Sequence, residues 1–146
     1  MNVKTFALVL GIIYLAVGVL GFIPALLSPP GPGAPGVAVT AGYGYLLGLF
    51  PVNILHTLVH LAVGVWGVFA QKDFDSARTF ARGVAILYAV LTIFGLIPGL
   101  HTVFGLVPLF GHDIWLHALT AIAAGYFGFV AAPDGDYART ATTARR

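Results

Sequence analysis

QKDFDSARTFAR, residues 71–82, is the stretch that decides the fold. It gathers Lys72, Arg78 and Arg82, with Asp73 and Asp75, at the junction of two apolar runs, about 51–70 and 80–98. Working outward, Lys4 precedes a first apolar run, about 5–27, and Arg139, Arg145 and Arg146 follow a fourth, about 113–132. All seven Lys and Arg residues thus fall on alternate connections, and the other two, roughly 28–50 and 98–113, hold none. Short loops rich in Lys and Arg stay in the cytoplasm. The pattern predicts an all-α membrane protein of four transmembrane helices with N- and C-termini cytoplasmic.

Composition agrees. The 146 residues are 59% hydrophobic and 8% charged, against about 25% charged in an average soluble domain. Each crossing of a hydrocarbon core needs about 20 apolar residues, so four crossings fill residues 1–132 as a single domain. The run 5–27 exceeds the apolar core of a signal peptide and reads as a retained span. Arg82, inside the third run, is expected to reach back toward the headgroups. SPPGPGAPG (28–36) opens an outer Pro/Gly-rich loop, 28–45, which cannot be helical and is expected to be extended and mobile. Tyr43, Tyr45, Trp66 and Trp115 read as interface or lipid-facing aromatics. Residues 133–146 read as a polar, disordered cytoplasmic tail. The net charge of +2 comes from cations flanking spans, so it marks topology and gives no nucleic-acid surface. There is no Cys, and the single Met stands at position 1, which excludes thiolate chemistry.

The chain also repeats itself. Tyr14, Gly21 and Pro24 match Tyr88, Gly95 and Pro98 at an offset of 74. Leu55, His56, Gly64 and Gly67 match Leu116, His117, Gly125 and Gly128 at an offset of 61, and Gly48–Pro51 parallels Gly105–Pro108. The four spans therefore read as a tandem repeat of two helical hairpins, related by a pseudo-two-fold axis along the membrane normal.

Polar residues inside a span mark function by default. His56, His60, Gly64 and Gly67 share one helix face, as do Asp113, His117, Ala121, Ala124 and Gly128. Small residues let helices approach closely in lipid, so both faces should turn inward. His56, His60, Asp113 and His117 are then expected to converge below the outer surface as ligands of a divalent transition metal, with Asn53 and His112 supporting them at the mouth. Imidazole and carboxylate suit Zn, Cu(II) or Fe better than Cu(I). A haem b between His56 and His117 is a weaker reading, because its propionates would find no Lys or Arg on the outer side. His101 reads as a solvated loop residue, and Tyr14 and Tyr88 as core residues each needing one hydrogen-bond partner.

The segments NILHTLVHLAVGVWGVFA (53–70) and GHDIWLHALTAIAAGYFGF (111–129) resemble a family of small four-span bacterial membrane proteins known only as a domain of unknown function. The likeness covers nearly all of 1–132. It implies four helices and a bacterial inner-membrane location, and it supplies no activity. The four-span shape is shared with DoxX-like membrane proteins, but no motif ties this chain to them.

Three function classes follow. The first is a membrane protein with an outward-facing intramembrane metal site. The second is a structural or accessory subunit whose buried His, Asp and Asn only lock the helices. The third, transport, would need a homo-oligomer or larger membrane complex across a glycine face. No nucleophile–base pair or carboxylate dyad argues for an enzyme.

Overall fold

The computed structural model describes residues 1–132. The expected tail, with Asp134, Asp136, Arg139, Arg145 and Arg146, lies outside the described residues. The described chain is helical, with four α-helices and one small sheet.

Three helices start where a side-chain oxygen takes up an otherwise unpaired first-turn amide. Asn2 Oδ1 accepts from Thr5 N at 2.9 Å to open α1, Val3–Leu20. Asn53 Oδ1 accepts from His56 N at 3.0 Å to open α2, Ile54–Ala70. Asp73 Oδ1 accepts from Ser76 N at 2.8 Å to open α3, Phe74–Leu96. That last cap starts the third helix well before residue 80, where its apolar run begins. The Ser76 amide and hydroxyl hold the Asp73 carboxyl below its ordinary pKa, and Lys4 adds to this. The fourth helix, α4, spans His112–Gly125 and widens into a π turn, Tyr126–Val130.

Proline sets two helix ends. The apolar run 5–27 does not stay helical throughout: α1 stops at Leu20, and Ile23, which precedes Pro24, is extended at φ −94° and ψ 105°. Ile97 before Pro98 is extended at φ −97° and ψ 114°, so α3 stops at Leu96. In both places the proline ring excludes the α conformation from the residue before it.

The loop 28–45 is non-helical, as its prolines require, but its ends are structured. β1 (Leu27–Ser28), β2 (Gly44–Leu46) and β3 (Phe50–Val52) form an antiparallel sheet in the order β1-β2-β3. Tyr45 pairs with both Ser28 and Pro51. The Gly105 carbonyl accepts from the amides of Ala38 and Val39 at 2.8 and 3.2 Å, and the Tyr43 hydroxyl donates to the Pro35 carbonyl at 2.7 Å. The sheet and the 97–111 connection thus close one end of the bundle together.

The opposite end carries the charge. Lys4 lies near Asp73, and Arg78 and Arg82 each donate Nε–H to the Gly128 carbonyl, at 3.0 and 2.9 Å. The helices therefore alternate in direction, with α1 packed along α2 and α3 along α4. The α1–α2 contact is backbone to backbone: a Cβ at Gly64 would lie 2.7 Å from Leu15 N, and one at Gly11 2.7 Å from Val68 N. Phe80, Val84 and Tyr88 place the centre of the core on α3. Among the described residues, three segments are long and apolar enough to cross a membrane: Val3–Leu20, Phe74–Leu96 and His112–Val130. Ile54–Ala70 is a shorter apolar helix.

Candidate metal centre

Asn53 starts the site. Its backbone position caps α2, and the Nδ2 hydrogens go to the carbonyls of Val39 (3.0 Å) and Leu106 (2.7 Å). One fully buried side chain thereby ties the outer loop, the 97–111 connection and the first turn of α2 together. Both amide hydrogens of Asn53 are thus spent on backbone. Its effect on the site passes through the His56 amide that it holds.

His56 and His60 lie one turn apart on α2 and face the bundle interior, as does His117 of α4. The ring centroids of His56 and His60 are 4.5 Å apart, and those of His56 and His117 are 6.0 Å apart. One nitrogen from each of the three rings lies within 4.8 Å of the others. Around a tetrahedral ion with bonds of about 2.0 Å, neighbouring ligand atoms stand about 3.3 Å apart. Side-chain adjustments of about an ångström therefore bring the three nitrogens around one ion. Asp113, one turn before His117, adds a carboxylate: its Oδ2 is 3.8 Å from His56 Nδ1. That is too long for a hydrogen bond.

The local chemistry is unusual in one respect. His56 Nδ1, His117 Nδ1 and Asp113 Oδ2 are buried and have no hydrogen-bond partner. Buried polar atoms are nearly always paired, and each exception calls for an explanation. Three in one place, all of metal-ligating type, fit a cation. The ligand atom of His60 stands within 4.8 Å of those of both His56 and His117, which crowds the space that a porphyrin between those two would need.

His112 is not among these groups. It is exposed, and its Nδ1 accepts from Trp115 Nε1 at 3.0 Å, with the ring 6.1 Å from Phe50. The expected role at the mouth of the site is thus corrected: residues 112 and 117 stand about 140° apart around a helix. His101 packs its ring 5.9 Å from Phe110 and stays out of the cluster.

Two residues read only as core turn out to frame the site. The Tyr14 ring meets His60 at 5.3 Å, the Tyr88 ring meets His117 at 5.0 Å, and the two tyrosines meet at 5.5 Å. With the histidine contacts this makes a closed circuit of five rings. The Tyr14 hydroxyl donates to Thr120 Oγ1 at 3.4 Å. Their matched contexts at an offset of 74 in the sequence were the signal that could have paired the two tyrosines.

No curated protein matches the chain, and no solved structure does. Residues 4–130 match the family described as "Domain of unknown function (DUF4383)", and the chain belongs to that family.

Proposed function

We propose that this chain is a four-span integral protein of the bacterial inner membrane that holds a divalent transition-metal ion, Zn, Cu(II) or Fe, in an outward-facing site formed by His56, His60, Asp113 and His117. The observation that carries the reading is the convergence of three imidazoles and a carboxylate, with three of their buried atoms unpaired. Imidazole from two helices and carboxylate from one is a donor set of the kind that bundle cores use for such ions.

The topology rests on the charge pattern. Lys4, Lys72, Arg78 and Arg82 gather at one end, which the positive-inside rule assigns to the cytoplasm. At 17 residues, α2 is at the short limit for a span. Two hairpins in tandem repeat are supported by matched backbone features. Ile23 before Pro24 and Ile97 before Pro98 are both extended, and Leu47–Gly48 and Phe104–Gly105 both take positive φ ahead of the fully buried Pro51 and Pro108.

The alternative, that buried His, Asp and Asn only lock the helices, draws support from Asn53, which does this. It gains some from His56, which also approaches the backbone of Pro51 and Pro108, and none from the unpaired atoms of His117 and Asp113. Elemental analysis of protein purified without chelator, beside His56→Ala/His117→Ala, tests the proposal. About one ion per chain in the wild type and far less in the variant is expected. Protein that stays metal-free after addition of Zn, Cu or Fe overturns it.

A further inference from the structure

Between α1 and α4 lies a second feature that a metal site does not require. Each helix packs on its hairpin partner, and the gap between them holds a cavity of about 300 Å³. Leu10, Ile13 and Val17 of α1 form one wall, and Leu116 and Thr120 of α4 the other. Leu46 and Phe50 of the sheet complete the lining. The rim is apolar and open: Ile13, Leu47 and Leu116 are 51%, 59% and 38% exposed. Five polar groups reach the cavity, those of Tyr14, His60, Asp113, His117 and Thr120. Asp113 and His117 are each 2% exposed, and each has an atom without a hydrogen-bond partner.

We infer that this cavity binds a membrane-borne quinone or quinol, its head against Asp113, His117 and Tyr14 and its tail leaving between α1 and α4. Size and lining fit a ligand pocket, mostly apolar with a few convergent polar groups. Charge narrows the class. No Lys or Arg occurs in 5–71 or 83–132, so a phosphate or carboxylate head would face Asp113 without a counter-charge. A quinone head is uncharged, and its carbonyls accept from an imidazole N–H, while a quinol hydroxyl donates to a carboxylate. It is also flat, and Tyr14, His60 and His117 offer ring surfaces to it. The inference does not need the metal, because His56 does not line the cavity.

The test is calorimetric titration of the purified full chain, chelator-treated, with a decyl-substituted benzoquinone. Saturable binding near one per chain is expected, weakened at least tenfold by Ile13→Trp and by Leu116→Trp, which fill the gap from opposite walls. Ile12→Trp, on an exposed position outside the lining, should bind as wild type and controls for the added indole. Ile13→Trp should still retain zinc, measured separately, so the two readings fail independently. Absence of saturable binding in the wild type, or binding untouched by both gap-filling variants, overturns the inference.

Discussion

His56 Nδ1 stands 3.8 Å from Asp113 Oδ2, both side chains sealed from solvent and neither atom hydrogen-bonded. The two belong to different hairpins, so the pairing exists only when α4 is seated against the first turns of α2. A cation shared between them turns an unpaired acceptor and an unpaired imidazole nitrogen into ligands. Asp113→Asn keeps the shape and removes the charge. It should weaken zinc affinity about tenfold to a hundredfold, the range seen when such supporting groups are lost, and competition against a chelating dye would measure it. Affinity should also fall as pH drops, because only neutral imidazole ligates and protons compete with the metal. An affinity flat with pH would argue against histidine ligation.

Asn53 is the staple of the outer end. Asn53→Ala removes a helix cap worth about 1 kcal/mol and two hydrogen bonds to buried carbonyls at about 1 kcal/mol each. A loss of about 2–4 kcal/mol is expected in reversible unfolding in detergent. Asn53→Asp keeps the cap but turns a carboxylate oxygen toward the two buried carbonyls of Val39 and Leu106, so it should cost at least as much as the alanine. If Asn53→Ala leaves stability unchanged, the sheet and the 97–111 connection are not held as described.

Gly64 marks the closest approach of α1 and α2, where an added Cβ would lie 2.7 Å from Leu15 N. Gly64→Val should cost about 1–3 kcal/mol through overpacking. Its repeat counterpart is different. At Gly125 the nearest neighbour to an added Cβ is Ala85 Cβ at 4.0 Å, so Gly125→Ala should be nearly neutral. Thermal melts of the two variants side by side check the contrast.

Topology is testable because the chain has no cysteine. In intact cells, an impermeant maleimide should label Gly33→Cys and Gly99→Cys and spare Lys72→Cys until the membrane is opened. The reverse pattern would invert the orientation.

The helix count and the charged end were legible because both rest on local composition: apolar length and the position of cations. Helix ends moved where single residues intervened, Pro24 and Pro98 shortening two helices and the Asp73 cap lengthening one. The sheet was not legible, since strands as short as Leu27–Ser28 carry no periodicity to read. At the site, the four-residue spacings of His56 with His60 and of Asp113 with His117 put each pair on one face. His112 was misplaced although the same helical geometry sets it well around α4 from His117. The double bond of Asn53 to Val39 and Leu106 joins segments far apart in sequence, which no local pattern encodes. The ring contacts of Tyr14 and Tyr88 likewise depend on how the hairpins seat together.

X-ray absorption at the zinc edge of the zinc-loaded protein tests the central claim most directly, because it reports the ligands themselves. The account predicts imidazole scattering from about three histidines at about 2.0 Å with a carboxylate oxygen beside them, the imidazole count falling in His117→Ala. A spectrum without imidazole scattering, or one identical in His56→Ala/His117→Ala, would contradict it.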